Sequence, residues 1–437
     1  MRSNSLYVLL TLIATTVGGA QQPDGNARPV ALDEAVRLAQ RNSPLTTQAR
    51  GATRVGRITV TNAIAQFVPN FNVFTSAGKS SGASYFQGRL VPFEGDAWSY
   101  SKGYSAGVTL FDFGQRWFNL RSAQASLRAD SENELLQRFN VALSVKQQYF
   151  AVLAAQETEA AAMRQLEGAE KQLLVTTARK QAGAASRLDS LRSAVAVGAA
   201  RLAIINAQNS LRTANATLTR LAASPDPVTA VAADTAVVPT IEVDSAMLVQ
   251  LASDGPAVRS ASGTFDASKA ARRASLTSYL PTLSMFYRYS TSKTTQSFDW
   301  DGSFPSSSKG YSFTLSYNVF NNFFREVNTV TAVVNEDNAE AALRDARFAA
   351  RENLATYIGT FRAAMETIEL QRTQIAAAEE DLQGQLDRFR LGVGTTLLDV
   401  SNAQTALDNA RLALINARYQ ARTAKAQIEA LVGRELR

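Results

Sequence analysis

Carboxylates are the chemistry left to an enzyme in this 437-residue chain, because it contains no histidine and no cysteine. That removes thiol and imidazole nucleophiles, histidine general bases and nearly every zinc, copper or haem site. A disulfide framework is impossible as well. At corresponding points of two long helical runs, after glycine turns, a hydroxyl stands three residues before a carboxylate: Ser186-Arg-Leu-Asp189 and Thr396-Leu-Leu-Asp399. Each has the spacing of a capping box, in which hydroxyl and carboxylate satisfy free N–H groups at a helix start. Asn402 follows Asp399 by about one turn on the same helix face, whereas Asp189 has Arg192 there and suits an internal ion pair. Asp299-Trp-Asp-Gly302 opens like a calcium loop, but the other ligands and the closing Glu are absent, so it reads as a turn. No catalytic pair, metal site or cofactor loop emerges. An enzyme is the least supported reading.

The two boxes sit in a duplicated stretch. Leu188-Asp189 returns as Leu398-Asp399, Arg201-Leu-Ala-Ile-Ile-Asn-Ala207 as Arg411-Leu-Ala-Leu-Ile-Asn-Ala417, and Arg212-Thr-Ala214 as Arg422-Thr-Ala424, always 210 positions on. A repeat of this length implies two copies of one structural unit. Proline marks the same division: Pro44, Pro69 and Pro92 are answered by Pro256, Pro281 and Pro305. Each copy has a punctuated first part and a proline-free second part that permits long helices.

The first parts open on short helices broken before Pro44 and Pro256, with a second helix starting on each proline. The period then changes from 3.6 to 2. Trp98, Tyr100, Tyr104, Val108 and Leu110 fall on one face of a strand, and Tyr311, Phe313, Leu315 and Tyr317 on one face of another. Ser and Thr take the alternate positions. Residues 70–74 and 282–289 show the same pattern, broken at Phe286. Such strands have the length and alternation of membrane-spanning β-strands, which puts Tyr311, Phe313, Leu315 and Tyr317 against lipid. Four strands cannot close a barrel, and open edges in lipid leave backbone groups unpaired, so the sheet requires further copies of the chain. The Gly/Ser-rich segments 79–97 and 293–309 read as external loops.

The second parts predict helices of about 100 Å, folded side by side as coiled-coil hairpins. Gly183 with Ala184 turns the first; Gly392 and Gly394 turn the second, which reads as one residue longer. Residues 1–20 read as a secretory signal, with Arg2, an apolar core and a small-residue site at Gly18-Gly-Ala20. The first repeat takes residues 21–222, with strands at about 69–78 and 98–112 and a hairpin at about 115–222. A Pro/Ala-rich linker covers 223–243. The second repeat takes 244–437, with strands at about 281–292 and 309–320 and a hairpin at about 323–433. The net charge is +7, but basic residues are interspersed with acidic ones, without the clustering of a nucleic-acid surface.

At the duplicated helices and the two hairpin turns the chain resembles the TolC-like outer-membrane efflux channel family. The fold expected from the resemblance is mainly α with a membrane β-barrel portion: a trimer with twelve strands, four per chain, and a long α-helical coiled-coil barrel in the periplasm. It also implies a passive conduit for drugs, other small molecules or secreted proteins, working without a cofactor beside a periplasmic adaptor protein and a proton- or ATP-driven inner-membrane pump. By the same resemblance Asp399 matches the first of two aspartates that constrict the tunnel tip, and Asn402 replaces the second. The hairpin turns at Gly183, Ala184, Gly392 and Gly394 become adaptor contacts, with Ser186, Asp189 and Thr396 as turn caps. The family's closing latch uses an Arg and a Tyr. Thr395 stands where that Arg would fall, with Arg187, Arg388 and Arg390 nearby. The competing reading is an extracytoplasmic coiled-coil scaffold, which leaves the alternating strands unexplained.

Overall fold

The computed structural model describes residues 27–80, 83–92, 97–183, 185–231, 245–391 and 393–436. The expected signal segment at residues 1–20, Ala184, Gly392 and most of the expected linker lie outside the described residues. The first repeat runs β1 (Arg28–Val30), α1 (Leu32–Asn42), α2 (Pro44–Ala65), β2 (Asn70–Ser80), β3 (Ala83–Phe86), β4 (Arg89–Pro92), β5 (Ala97–Phe111), α3 (Gln115–Gln181) and α4 (Arg187–Ala222). After β6 (Val228–Ala230) the second runs α5 (Ser245–Ser253), α6 (Pro256–Leu276), β7 (Thr282–Thr295), β8 (Ser306–Ser316), α7 (Phe324–Leu391) and α8 (Leu397–Val432).

Helices α3 and α7, of 67 and 68 residues, each extend about 100 Å. Each folds back on its own return helix, α3 on α4 and α7 on α8, while α2 and α6 flank them. The duplicated arginines do equivalent work: Arg201 reaches Glu170 at 3.4 Å, and Arg411 reaches Glu379 at 2.6 Å. These exposed pairs contribute at most about 1 kcal/mol each. More buried contacts join the repeats. Lys146 on α3 pairs with Glu429 on α8 at 2.6 Å, and the Tyr419 hydroxyl donates to Glu157 at 2.7 Å. Burial is the main cause that raises the Tyr419 phenol, with the Glu157 contact acting in the same direction.

Sheet order is β2-β5-β7-β8, antiparallel throughout. The strands reach further into the expected external loops than the alternation suggests, since β7 runs to Thr295 and β8 begins at Ser306. At the other end β8 stops at Ser316, so Tyr317 follows the strand rather than lying within it. Leu110 is also displaced from its expected face. Thr109 pairs with Ser284 and Phe111 with Leu283, so a bulge falls at Leu110 and Phe111 resumes the aromatic face. Phe286, which breaks the alternation of β7, lies over Gly107 of β5. A side chain on Gly107 would meet the Phe286 ring at 2.7 Å.

Three further features depart from the sequence reading. The segment expected as loop 79–97 contains the β3–β4 hairpin, turning on Gln87 and Gly88 with positive φ. The linker carries β6, which pairs in parallel with β1 near the start of the chain. Tyr149 fixes this joint: its hydroxyl oxygen lies 3.1 Å from Val30 O and 3.0 Å from Val231 O, and accepts from Val231 N. Val30, Val145, Val152, Leu218 and Val228 pack around it as the main core. Finally, the two hairpin turns are equal in length. α3 and α7 end at Gln181 and Leu391, and α4 and α8 begin at Arg187 and Leu397.

Each sheet-to-helix junction uses left-handed residues, Phe113-Gly114 in one repeat and Asn322-Phe323 in the other. In the first, Asp112 accepts from Gly114 N at 3.1 Å, Arg116 N at 3.1 Å and Arg116 Nε at 2.7 Å. These bonds hold non-glycine backbone in a region it otherwise avoids. Asp112→Ala leaves the Arg116 guanidinium half-buried without its carboxylate. Its expected cost is about 3 kcal/mol, read as a lower urea midpoint; an unchanged midpoint would mean that the junction does not depend on this cap.

Candidate functional site

Two regions carry the candidate residues: the hairpin tip and the sheet. At the tip, Gly183 and Gly394 have φ of +74° and +64°, and a Cβ on either would meet only open space. The requirement for glycine is therefore one of backbone conformation, not of packing. Both return helices open on complete capping boxes. Thr396 N and Oγ1 donate to Asp399 Oδ2 at 2.8 and 2.7 Å, and Ser186 N and Oγ donate to Asp189 Oδ2 at 3.1 and 2.7 Å.

The boxes differ in surroundings. Asp399 and Asn402 are exposed along one face of α8, opposite Leu397, Val400 and Ala403, which are buried. Leu397 and Val400 pack with Phe389, Val175, Leu382 and Leu386, which fixes the orientation of that face. The Thr396 backbone N–H, and then its hydroxyl, hold the Asp399 carboxyl below the usual carboxylate range. Asp189 is only half-exposed. Its carboxyl is lowered by the Ser186 hydroxyl and N–H, then by the charges of Arg192 and Arg179. The repeat thus keeps the cap in both copies and an open carboxylate in one.

One tip residue escapes the sequence reading. Arg179 on α3 donates to the carbonyl of Phe389 near the end of α7, and its guanidinium lies 4.6 Å from the centre of the Phe389 ring. The two residues occupy equivalent positions of the two repeats, so this contact ties the hairpins together at their ends. Arg390 instead pairs with Asp387 on its own helix, and the Thr395 hydroxyl donates to Gln385. Arg179→Ala is expected to cost about 1–3 kcal/mol locally and to loosen the tip. Faster amide exchange at residues 385–391 with an unchanged sheet would register this; equal exchange would count against Arg179 as a tie.

The sheet has two chemically distinct faces. The register places Phe71, Val73, Tyr104, Met285, Tyr287, Tyr289, Tyr311, Phe313 and Leu315 on one side. The other carries Asn70, Asn72, Ser76, Ser101, Ser284, Ser290, Ser312, Thr314 and Ser316. The Ser76 and Ser101 hydroxyls there lie 2.8 Å apart. Both edge strands, β2 and β8, have one side without a strand partner among the described residues. No helix among the described residues is long and apolar enough to cross a membrane, and no group of three or more Asp or Glu among them could hold a metal ion.

The fold thus joins a four-stranded sheet, greasy on one side and hydroxyl-rich on the other, to paired helical hairpins that lead away from it. The family model described as outer membrane efflux protein matches residues 35–224 and 247–434, and the chain belongs to this family. No match is found among curated proteins. Among solved structures, the chain is similar to a membrane protein from Pseudomonas aeruginosa, at 20% identity and a TM-score of 0.81, covering 92% of this chain and 93% of that one. It is also similar to the outer membrane protein VceC from Vibrio cholerae, at 17% identity and a TM-score of 0.79, covering 93% and 97%. The open-state MtrE outer membrane channel from Neisseria gonorrhoeae shares 18% identity with a TM-score of 0.77, covering 93% and 89%. At these identities the likeness is one of fold. Proteins of this family are channels, not enzymes.

Proposed function

We propose that three copies of the chain form an outer-membrane channel with its helical tunnel in the periplasm, serving as the exit duct of a tripartite export system. The observation that carries the reading is the four-stranded antiparallel sheet with two open edges and opposite faces of opposite polarity. An even strand count lets β8 of one copy run antiparallel to β2 of the next, and three copies give twelve strands without a free edge. The face bearing Tyr311, Phe313 and Leu315, continued by Tyr317, meets lipid. The hydroxyl face lines water. Drugs, other small molecules or secreted proteins pass through without chemical change, driven by an inner-membrane pump through a periplasmic adaptor.

The hairpin turns are the adaptor's docking points. Gly183, Ala184, Gly392 and Gly394 leave little side-chain bulk at the tip, so a partner helix can approach closely. Open space around Gly183 and Gly394 supports this. Asp399 of each copy contributes to a carboxylate ring at the tunnel's narrow end, with Asn402 forming an amide ring behind it. Cross-linking in cells should give a trimer and, beyond it, trimer–adaptor adducts. Gly183→Trp should lose most adducts while keeping the trimer, and Gly183→Asn, which tolerates positive φ, should retain more of them. Undiminished adducts in Gly183→Trp would remove the turn from the docking surface, and a monomer in the wild type would overturn the assembly.

A further inference from the structure

Residues 296–305, which join β7 to β8, fold back onto the aromatic face of the sheet rather than standing clear of it. The Phe298 ring meets Trp98 edge-on with centroids 5.0 Å apart, and Trp300 meets Tyr100 edge-on at 5.9 Å. Asp299 N donates to the Tyr100 hydroxyl at 2.8 Å. Beneath the turn lies Lys293, whose side chain is only 4% exposed. Its ammonium donates to Asp299 Oδ2 at 3.0 Å and to the Asp301 carbonyl, and lies 5.2 Å from the centre of the Phe304 ring. A buried lysine satisfied by two loop oxygens acts as a clamp, because freeing the loop would leave a charge without its partners. Phe298 and Trp300 nonetheless remain 61% and 46% exposed.

What these two rings face follows from the register. Rising along this side of the sheet, Leu283 pairs with Leu315, Met285 with Phe313 and Tyr287 with Tyr311. Tyr289 then pairs with Lys309, Thr291 with Lys102 and Lys293 with Tyr100, and the loop lies above them. Aliphatic residues, then tyrosines, then exposed lysines, then tryptophan is the order of a bilayer read from its hydrocarbon to its headgroups. Lys102 lies 3.9 Å from the centre of the Phe304 ring, and both Lys102 and Lys309 are exposed at this height. Their charge complements phosphate.

We propose that residues 296–305 form a lipid-seated clamp on the outer wall of the barrel rather than a lid over its lumen. Phe298 and Trp300 sit among the headgroups of the outer leaflet, and Lys102 and Lys309 bind the phosphates of anionic lipids there. The inference rests on the lipid-facing assignment of this wall, and its test separates the two. The chain has three tryptophans, Trp98, Trp117 and Trp300. Trp98→Phe with Trp117→Phe leaves Trp300 as the only reporter. Trp98→Phe, Trp117→Phe, Trp300→Phe and Phe313→Trp together place a reporter lower on the same wall.

Each assembled protein is reconstituted in vesicles of equal parts phosphatidylcholine and phosphatidylglycerol, with acyl chains brominated near either the carbonyl or the methyl end. The Phe313→Trp reporter should be quenched by bromines near the methyl end, and Trp300 by those near the carbonyl end. Adding Lys293→Gln to the Trp300 reporter should weaken its lipid quenching and increase its quenching by aqueous iodide. A quenched Phe313→Trp reporter beside an unquenched Trp300 overturns the clamp and leaves the wall in place. An unquenched Phe313→Trp reporter overturns both. Identical Trp300 quenching with and without Lys293→Gln removes Lys293 from the role.

Discussion

Leu315→Arg is expected to abolish channel assembly, while Ser316→Arg, one residue along, leaves it intact. The two side chains project from opposite faces of β8: Leu315 pairs with Leu283 among the apolar residues, and Ser316 pairs with Thr282 on the hydroxyl side. An arginine near the bilayer midplane costs roughly 2–4 kcal/mol in a barrel strand. Threefold symmetry repeats that cost in every subunit. The same arginine in a water-filled lumen keeps its hydration. The measurement is the yield of trimer extracted from outer membranes, compared between the variants at equal expression. Equal yields would mean that the two faces are assigned the wrong way round or that neither meets lipid.

The second large effect concerns ions at the tip. In the proposed trimer, three Asp399 carboxylates drawn toward the axis would form a site for multivalent cations, because their fields would add. Asp399→Asn should abolish block by added trivalent cations, whereas Asp189→Asn should leave it nearly unchanged. The exposure of Asp399 and the half-burial of Asp189 set this contrast. The pH dependence has a definite sign. Thr396 holds the folded-state carboxyl below its ordinary value of 3.8, so the charge, and the cap with it, persists above that value. Both are lost as the pH falls through the lowered folded value. Mutual repulsion of three carboxylates acts in the opposite direction, so block that disappeared well above pH 4 would report their close approach. Block that survives Asp399→Asn would put the selective ring elsewhere and leave Asp399 as a helix cap.

The legible parts of the chain are those written by period and punctuation. Proline divides each repeat, and alternation over eight or more residues separates the two faces of β5, β7 and β8. The Ser186 and Thr396 boxes announce the return helices, because a capping box depends on residues three apart and on nothing distant. What escaped depends on contacts between remote segments or on runs too short to show a period. β1 and β6, three residues each, exist because they pair with one another over the Tyr149 core. The β3–β4 hairpin turns at Gln87-Gly88, without the Asn-Gly or Asp-Gly pair that marks such turns most clearly. The bulge at Leu110 shifts one residue against its partner strand, which a single strand cannot reveal. Arg179 could not be singled out as a tip residue, because its partner is the Phe389 carbonyl, a backbone group that no motif records. The repeat did hold one clue, since the two positions are equivalent.

Conductance across a planar lipid bilayer tests the account most directly. Purified wild-type trimer added to one side should insert and give discrete conductance steps favouring cations, and trivalent cations should block them from the periplasmic side. A trimer that inserts but gives no conductance steps, even after Arg179→Ala loosens the tip, would contradict a conduit and favour a structural role for the long hairpins.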